Sequence, residues 1–491
     1  MDSAYEVIVV GAGNAALCAA LSAAESAKKI LVLERAPEED SGGNSRYTAG
    51  LMRVAYSGVE DLKRAIPDLT PEEIARSDFG TYTEDQFLDD MGRLTEYRCD
   101  PDLTEILVKQ SLATVEWMRK KGVRFTAAWG RQAFNIGGRF KFWGGLTVEA
   151  VGGGPGLVES LTAIAKKNGI EVWFNARALD LICDDSGVRG IRLRRDGRTL
   201  ELKARAIVLA AGGFQADPEW RTRYLGPGWE LAKVRGTKFN TGDGIRMALA
   251  AGAAPTGNWS GCHAVAWERN APEFGDLAVG DQFQKHSYPW GIYINADGKR
   301  FVDEGADFRN YTYAKYGRVI LSQPGQFAWQ IFDAKVKAQL RDEYKIKQVT
   351  RRVGNTLEEL VSKLEDTNQA AALAEIREYN AAVQTDMPFN PNVKDGRSTK
   401  NLRINKSNWA NTIDTPPFEA YAVTCGITFS FGGLKINADA QVLSSDGAPI
   451  PGLYAAGELV GGIFFFNYPG GTGLTNGAVF GRIAGCSAAR A

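Results

Sequence analysis

The sequence predicts an α/β protein with a Rossmann-like parallel sheet that is interrupted by an α+β capping domain. Three observations predict this class. A short apolar strand, residues 7–10, is followed by a glycine-rich turn and a helix over residues 17–27. Two distant apolar runs, residues 206–209 and 452–458, are typical of buried parallel strands that return to one sheet. Between residues 259 and 420, short strands and frequent aromatic side chains indicate an inserted domain.

The composition is that of an ordinary soluble globular chain. Of 491 residues, 44% are hydrophobic and 24% are charged. Lys and Arg together number 58, as do Asp and Glu, so the net charge of zero argues against a nucleic-acid partner. Six dispersed cysteines form no C-x-x-C pair, so no metal, iron–sulfur or haem site is signalled. Because no signal peptide precedes the first strand and no apolar stretch reaches about 18 residues, we expect no integral membrane segment and a cytoplasmic location.

The turn after the first strand has the spacing of a dinucleotide-binding motif. Gly11, Gly13 and Ala16 form G-x-G-x-x-A, in which Gly11 permits the tight turn and Gly13 lets a pyrophosphate approach the backbone. The following helix presents free N–H groups to the phosphates. A second strand, residues 30–33, ends in Glu34, roughly 20 residues beyond the motif, where a carboxylate can bind ribose hydroxyls. A glycine-rich turn in some other α/β protein is the alternative.

The remaining elements follow from apolar periodicity and from turn residues. Residues 60–123 are predicted to form a helical excursion, with one helix beginning at Asp100-Pro101. A β-meander then leads into the buried strand at residues 206–209, and the chain ends with a loop and a helix over residues 467–485. The other predicted strands are 171–174, 178–183, 188–194 and 200–203, and the other predicted helices are 157–167, 245–251, 357–366 and 369–383.

The dinucleotide is either NAD(P) or FAD, and two distant segments favour FAD. One is the small-residue turn at residues 210–214 (AAGGF), and the other is Gly457-Glu458 with the glycine-rich segment 470–477 before the last helix. A long, extended cofactor requires residues that are far apart in the chain to return to one site. A carboxylate after a small-residue strand can hold a ribityl chain, and a helix N-terminus can stabilise negative charge on a reduced flavin.

Several longer motifs carry a resemblance to a known family. They are GAGNAALCAAL with Glu34, the GGNS loop, AAGGF, RGTKFNTGDG, IYINADGKRFVDEGADFRNYTYAKYG, GITFSFGGL, and GLYAAGE with GRIAG. With them the chain resembles the soluble fumarate reductase and succinate dehydrogenase flavoprotein superfamily, and most closely the FAD-dependent tricarballylate dehydrogenases. The resemblance implies an FAD-binding domain of residues 1–258 plus 421–491, a capping domain of residues 259–420, and a substrate held between the cap and the flavin.

The resemblance also implies a set of cofactor-binding residues. The GGNS loop contains no histidine, so the usual covalent histidyl link is excluded and we expect noncovalent FAD. The expected cofactor-binding residues are Gly11, Gly13, Asn14, Ala15, Glu34, Arg35, Gly42, Gly43, Asn44, Ser45, Ala178, Ala211, Gly212, Gly213, Asp243, Gly457, Glu458, Gly473, Leu474 and Thr475.

Members of this superfamily move two electrons and two protons across a carbon–carbon bond. In fumarate reductases the proton passes through an arginine that follows an R-F-x-x-E motif; here that motif spans Arg300 to Glu304, and Arg309 follows it. The resemblance makes Arg309 the candidate for proton transfer. Since the pKa of an arginine is above 12, Glu304 or a water must relay the proton. The alternative is a surface ion pair at Arg309.

Two further residues are candidates for contact with the substrate. His263 matches a histidine that binds a substrate carboxylate in fumarate reductases, although a satisfied core histidine is the alternative. Tyr468, in Tyr-Pro-Gly, resembles tricarballylate dehydrogenases and more distantly ketosteroid dehydrogenases, where a tyrosine polarises a ketone. Tyr468 is thus expected to donate a hydrogen bond to a carbonyl or carboxylate, or to act as an acid, with packing as the alternative.

Two departures from fumarate reductases bear on the substrate. The histidine before T-M-G-G and the arginine of N-R-L-G-G are replaced by residues 428–433 (TFSFGG) and 467–471 (NYPGG), so fumarate fits poorly. We therefore predict carbon–carbon desaturation, or the reverse reduction, next to a carboxylate or carbonyl, with a tricarballylate-like acid favoured. The apolar run at residues 463–466 (IFFF) leaves an apolar enone as an alternative, and a noncatalytic electron-transfer flavoprotein is the alternative of another class. Electrons must pass to or from a separate protein, quinone, soluble carrier or oxygen.

Overall fold

A computed structural model describes residues 5–491. Its regular elements begin with a strand, a helix and a second strand, as the dinucleotide motif predicts. The strands are β1 (Tyr5–Val10), β2 (Ile30–Leu33), β3 (Leu51–Met52), β4 (Ser77–Asp78), β5 (Phe125–Ala127), β6 (Ala133–Ile136), β7 (Arg139–Phe142), β8 (Val148–Ala150), β9 (Glu171–Trp173), β10 (Ala176–Asp184), β11 (Gly187–Arg195), β12 (Arg198–Leu209), β13 (Lys233–Val234), β14 (Pro255–Glu268), β15 (Ile292–Asn295), β16 (Phe327–Phe332), β17 (Arg351–Gly354), β18 (Phe418–Leu434), β19 (Gln441–Leu443) and β20 (Pro449–Ala455).

The helices are distributed along the whole of the described chain, from the motif after β1 to the last residues. They are α1 (Asn14–Ala23), α2 (Val59–Ala65), α3 (Pro71–Ala75), α4 (Glu84–Leu94), α5 (Pro101–Lys121), α6 (Trp129–Gln132), α7 (Gly153–Lys167), α8 (Pro218–Trp220), α9 (Asp243–Ala250), α10 (Arg309–Leu321), α11 (Leu357–Val361), α12 (Gln369–Ala382) and α13 (Thr472–Arg490). As predicted, the long helix α5 begins at Asp100-Pro101, where the Asp100 carboxylate accepts a hydrogen bond from the backbone N–H of Leu103 at 3.1 Å.

The largest sheet confirms the α/β class. Its strand order is β10-β11-β12-β1-β2-β9, with β20 beside β12 and β19 beside β20. β1 is parallel to both β12 and β2, while β2 is parallel to β9 and β12 to β20. Every residue of β2 is buried, as expected for a strand covered on both faces. The carboxyl ends of β1, β2, β12 and β20 therefore meet at one edge, where such sheets bind their ligands.

A second sheet is formed mainly by strands from the segment that was predicted to be inserted, residues 259–420. Its strand order is β13-β18-β16-β15, and β14 and β17 also pair with β18. The long antiparallel strands β14 and β18 run through the predicted domain boundaries near residues 258 and 421. Two separate apolar clusters surround this sheet, one around Trp329 and one around Trp409. The domain boundaries themselves stay a prediction.

Three predicted elements differ from the structure. The first is the helix predicted over 17–27, which spans Asn14–Ala23. The segments 200–203 and 206–209 were expected to be separate strands, but both belong to β12, because no glycine or proline interrupts the chain between them. Exposed and partly buried residues alternate at the start of β12 and give way to a fully buried end, so one strand runs from the meander into the parallel sheet. The helix predicted over 357–366 ends at Val361 and is followed by turns, one of which places Asp366 at a positive φ of 55°.

The first and last helices cross closely, and this crossing positions the site. A Cβ at Gly481 or Gly485 of α13 would lie only 2.4 Å and 2.0 Å from the carbonyl oxygens of Ala15 and Ala19 in α1. The backbones can approach this far only because both positions lack a side chain. The contact sets the N-terminus of α13 beside that of α1, although the two helices are at opposite ends of the chain. Within residues 5–491, no helix combines the length and apolar character needed to cross a bilayer.

Candidate active site

Two connected cavities lie at the carboxyl edge of the main sheet. The first, here called the dinucleotide groove, has about 860 Å³ of empty space, and the second, the substrate cavity, has about 1130 Å³; both figures include open solvent at the mouth. The two cavities share a lining, so they form one continuous channel. The shared residues are Asn14, Ala15, Asn44, Ser45, Gly457 and Glu458.

Most of the residues predicted to bind the cofactor line this channel. Gly473 and Leu474 line the substrate cavity, whereas Gly42, Gly213 and Thr475 line neither cavity and lie behind the walls. The predicted residues that line the dinucleotide groove are Gly11, Gly13, Asn14, Ala15, Glu34, Arg35, Gly43, Asn44, Ser45, Ala178, Ala211, Gly212, Asp243, Gly457 and Glu458.

The turn after β1 has the close packing that a pyrophosphate site needs. Gly11 has a φ of +108°, and a Cβ there would lie 2.4 Å from the carbonyl oxygen of Ala210, so a side chain is excluded. Gly13 precedes the first turn of α1, whose N-terminal amides face the groove. At the end of β2, the buried Glu34 carboxylate accepts backbone hydrogen bonds from Ala12 at 2.9 Å and Ala36 at 2.8 Å. Glu34 lines the groove together with Gly11 and Gly13, so these residues fit a dinucleotide.

The outer end of the groove is held by a charged cluster. Asp243 at the start of α9 pairs with Arg35 at 3.1 Å and with Arg177 at 2.9 Å. The Arg35 guanidinium also lies over the Phe239 ring, 5.8 Å from its centroid. The cluster joins the β2 end, the meander and α9 around the position expected for an adenosine, and it accounts for Arg35 and Asp243 in the predicted set.

The inner end of the groove is organised around Glu458, which follows β20. Its carboxylate accepts hydrogen bonds from the Ser430 backbone N–H at 3.0 Å and from the side chains of Gln215 at 3.3 Å and Asn240 at 3.4 Å. Burial raises the pKa of Glu458 to about 7. A Cβ at Gly213 would lie 2.2 Å from the carboxylate, so Gly213 serves the site by leaving space rather than by lining it.

The N-terminus of α13 opens into the substrate cavity. Gly471, with a φ of +82°, turns the chain into the helix, and the Asn14 side chain donates a hydrogen bond to the Leu474 carbonyl at 2.8 Å. Behind the wall, the Thr475 hydroxyl donates to the Arg53 carbonyl at 2.8 Å, and Arg53 Nε donates to the Gly470 carbonyl at 2.9 Å. Thr475 therefore fixes the helix start from the rear, and the positive end of the helix dipole faces the cavity.

Three of the predicted catalytic residues line the substrate cavity together. They are Arg309 on α10, Tyr468 in the loop before α13, and His263 on β14. The His263 ring packs against Tyr468, with centroids 4.8 Å apart, and against Tyr313, at 4.9 Å. Neither ring nitrogen of His263 has a hydrogen-bond partner within the described residues, and burial with the nearby Arg235 places its pKa well below the ordinary value. His263 is therefore neutral and able to donate to or accept from a ligand.

Tyr468 is hydrogen-bonded through its hydroxyl to the hydroxyl of Tyr313. Burial is the main reason that the pKa of each phenol is raised, most strongly for Tyr468. Both phenols therefore stay protonated at neutral pH. Because one of the two hydroxyls donates to the other, the pair has one remaining proton to offer to a ligand.

Arg309 differs from the other arginines of the cavity in its partners. Arg235 and Arg131 both form ion pairs with the buried Asp281, at 2.5 Å and 3.1 Å. Arg309 donates one hydrogen bond to the Arg131 carbonyl at 3.2 Å, its Nε is unpaired, and across residues 5–491 it has no ion pair within 4.0 Å. Burial lowers its pKa. Arg309 is thus a cation that remains available to a ligand. The alternative interpretation, a surface ion pair at Arg309, does not fit this environment.

The structure does not bring Glu304 into the substrate cavity, and this corrects its expected role as a relay. Its buried carboxylate pairs with Arg300 at 2.5 Å and accepts from the Tyr293 backbone N–H at 2.9 Å. Those partners occupy the carboxylate, and it makes no hydrogen bond to Arg309 in the described part of the chain. Glu304 instead holds the segment that leads into α10.

Sequence reasoning missed several residues of the cavity. Tyr313 lies one helical turn after Arg309 on α10, and this i, i+4 spacing in the quoted NYTYAKYG segment was a usable signal. Arg235 lies within the quoted RGTKFNTGDG motif. Arg131 lies on the short helix α6 and Asp281 lies far from it in the chain, so only the fold brings them to Arg235.

A groove for an extended dinucleotide that opens into a separate cavity is the arrangement of flavin-dependent oxidoreductases, which hold the substrate at the flavin end. The chain matches the family described as "FAD binding domain" over residues 6–474 and belongs to it. It is therefore an FAD-dependent oxidoreductase, and the interpretation as a noncatalytic subunit has no support.

Relatives and solved structures agree with this family. A probable fumarate reductase of Shewanella frigidimarina is 29% identical over 493 residues, covering 99% of this chain and 75% of the relative. A urocanate reductase of Eggerthella lenta is 30% identical over 502 residues, covering 99% and 74%. The open conformation of a flavocytochrome c3 fumarate reductase superposes with a TM-score of 0.73 at 27% identity, covering all of this chain and 79% of that one. The family resemblance is confirmed, while the closer likeness to tricarballylate dehydrogenases stays a prediction.

Proposed function

We propose that this oxidoreductase desaturates, or in reverse saturates, the carbon–carbon bond next to a single carboxylate or ketone on a substrate with an apolar body. One observation carries the proposal: the uncommitted Arg309 guanidinium and the Tyr313–Tyr468 hydroxyl pair line the same cavity as a set of apolar side chains. Those apolar side chains are Leu51, Leu146, Phe429, Phe431, Val460 and Phe464.

The unpaired donors of the cavity match one anionic or carbonyl group. Asp281 already balances part of the charge of Arg131 and Arg235, so Arg309 is the cation left for a ligand. A single carboxylate or carbonyl oxygen would meet Arg309 and the free hydroxyl proton of the tyrosine pair. Such donors stabilise the negative charge that develops on that oxygen when a proton leaves the adjacent carbon.

We assign proton transfer to Arg309. The two tyrosines are assigned the hydrogen bond to the carboxylate or carbonyl oxygen of the substrate. Burial raises the pKa of both phenols, which disfavours a phenolate base, whereas burial lowers the pKa of Arg309 and favours its neutral form. In desaturation the neutral guanidine accepts the proton that leaves carbon, and in the reverse saturation the guanidinium returns it. Neutral His263 packs on both rings and holds them in place. The residues around Glu458 would hold the flavin end of FAD, which when bound would supply the two-electron chemistry. The N-terminus of α13 offers positive potential at that end.

The tricarballylate-like substrate is the second candidate, and it rests on the motif resemblance alone. Three carboxylates would require more uncommitted cations than Arg309 provides, since Arg131 and Arg235 are paired. The relatives are named for the reduction of fumarate and urocanate. The apolar enone of the sequence analysis agrees with the aromatic wall and falls within the proposed class.

An anaerobic screen tests the proposal. The oxidised holoenzyme is mixed with 3-phenylpropionate, cyclohexanone, succinate and tricarballylate, and the dithionite-reduced holoenzyme is mixed with cinnamate and cyclohexenone. We expect flavin reduction by a substrate with one carboxylate or ketone, or flavin reoxidation by its unsaturated counterpart. Faster reduction by tricarballylate than by every other compound would overturn the single-group proposal, and no response to any compound would overturn the reaction class.

The domain division, the cellular location and the electron partner belong to the same proposal. The separate apolar clusters around Trp329 and Trp409 support a capping domain over residues 259–420, with the FAD-binding domain formed by residues 1–258 and 421–491. The six cysteines are dispersed, so electrons are expected to pass to a separate partner rather than to an internal cluster. The FAD is expected to be noncovalent, and the location cytoplasmic.

A further inference from the structure

A third, smaller cavity lies behind Arg309. We call it the aromatic chamber, and it has space for roughly one water molecule. Arg309 lines both the chamber and the substrate cavity, so its side chain forms the wall between them. The chamber is lined by Phe134, Trp143, His286, Pro289, Trp290, Phe308, Arg309, Arg341 and Trp409.

Buried polar atoms on the chamber wall lack partners. Within the part of the chain that the structure describes, Trp143 Nε1, Arg309 Nε and both ring nitrogens of His286 make no hydrogen bond. His286 is 2% exposed, and burial places its pKa well below the ordinary value, so the ring is neutral. The indole and guanidinium nitrogens can only donate, and a neutral imidazole has one acceptor atom. The unsatisfied groups of the chamber are thus mostly donors.

The charge around the chamber is also unbalanced. Arg309 and Arg341 both line it, and burial together with Arg309 lowers the pKa of Arg341 to about 9. Glu343 is the carboxylate whose charge acts on both arginines, and it also accepts a hydrogen bond from the His286 backbone N–H at 3.4 Å. Two half-buried cations therefore share one carboxylate, which leaves an excess of positive charge behind Arg309.

We propose that the aromatic chamber binds one small monovalent anion of the halide class. An anion accepts several hydrogen bonds and donates none, which matches the unpaired Trp143, Arg309 and His286 donors. A water molecule would bring two protons to a site with one free acceptor. The space excludes a substrate carboxylate with its carbon chain. The anion would lie behind Arg309 and hold its guanidinium at the wall of the substrate cavity.

Bromide is the probe, because it scatters X-rays anomalously and is only slightly larger than chloride. The holoenzyme is prepared in gluconate, an anion too large for the chamber, and bromide replaces gluconate at constant ionic strength. We expect the thermal midpoint to rise with bromide and to saturate, and an anomalous peak to lie between Arg341 and His286 in a bromide-soaked crystal. Density for water alone in the chamber would overturn the proposal.

Two variants separate this site from a general salt effect. Arg341→Met removes a donor of the chamber, and it should raise the bromide concentration at half-saturation by about tenfold or more. Arg98→Met is the matched control, since Arg98 is exposed and does not line the chamber; it should behave as wild type. Equal bromide responses in both variants would overturn the proposal. If Arg341→Met does not fold, the bromide-soaked crystal of the unaltered protein still decides the question.

Discussion

The hydroxyl groups of Tyr313 and Tyr468 are hydrogen-bonded to each other, although 155 positions separate the two residues. Tyr313 lies on α10 and Tyr468 in the loop before α13, so the bond joins the inserted segment to the last helix. The contact lies in the wall of the substrate cavity. It leaves one phenolic proton of the pair for a substrate oxygen.

Removing the Tyr468 hydroxyl should slow the reaction. Tyr468→Phe removes a hydroxyl of the pair that donates to the substrate oxygen. That hydrogen bond becomes stronger as negative charge develops on the oxygen, so we expect the rate of flavin reduction to fall by about 10²-fold. Stopped-flow absorbance with the best compound of the screen measures this rate. Tyr224→Phe is the control, because Tyr224 lies outside the substrate cavity. A Tyr468→Phe rate equal to that of the control would assign Tyr468 to packing.

Arg309 should be required for turnover but not for cofactor binding. Arg309→Ala removes the uncommitted cation, and we expect the rate to fall by about 10³-fold or more while the flavin content stays at the wild-type level. Arg318→Ala is the control. Arg318 lies on the same helix, but its guanidinium donates a hydrogen bond to the exposed Ser260 carbonyl, so this variant should keep the wild-type rate. Near-normal turnover of Arg309→Ala would remove Arg309 from the mechanism.

Gly213 should be required for the flavin end of the channel. In Gly213→Ala the added methyl group would meet the Glu458 carboxylate at 2.2 Å and the Ser430 hydroxyl at 2.4 Å, which displaces the group that faces the cofactor. We expect the Kd for FAD to rise by about tenfold or more. Gly130→Ala adds a methyl group to open space and should bind FAD as wild type does. FAD fluorescence titration of the apoproteins measures both, and unchanged affinity in Gly213→Ala would contradict the geometry.

Glu458 should make the apoprotein more stable in mild acid than at neutral pH. Its pKa is raised by burial to about 7 in the folded chain, above the ordinary value of about 4.3 in the unfolded chain. Between these values the folded state binds more protons, so this contribution is present below about pH 4 and is lost as the pH rises to about 7.

Urea unfolding of the apoproteins across this pH range tests that sign. The free energy of unfolding of wild type minus that of Glu458→Gln should decline from about pH 4 to about pH 7 and then stay level. The same difference taken with the exposed Glu378→Gln should show no such decline. A wild-type minus Glu458→Gln difference that is constant with pH would show that the Glu458 pKa is not raised.

The sequence predicted the fold well because local patterns specify it. The Gly11 turn, the strands β1 and β2 and the start of α5 each follow from residues that are adjacent in the chain. The end of β12 was harder to place, since a strand that passes from an exposed meander into a buried sheet changes its periodicity midway. The helix predicted over 357–366 shows that apolar spacing alone does not locate a helix end.

The site was predictable where motifs carry it and not where the fold assembles it. The motif resemblance placed Arg309, Tyr468 and His263 in one cavity, as the structure has them. Glu304 shares the same motif, but it is committed to a buried ion pair that sequence spacing does not reveal. The pairing of Asp281 with two arginines depends on distant segments of the chain, so only the structure shows that Arg309 is left without an ion pair within the described residues.

The product of a single anaerobic turnover tests the central claim most directly. The oxidised holoenzyme is mixed with the compound that reduces its flavin fastest, and the product is analysed by mass spectrometry and NMR. We predict a product lighter by two hydrogens, with a new double bond joining the carbons α and β to the carboxylate or ketone. A product oxidised at any other position, or one that has gained oxygen, would contradict the account.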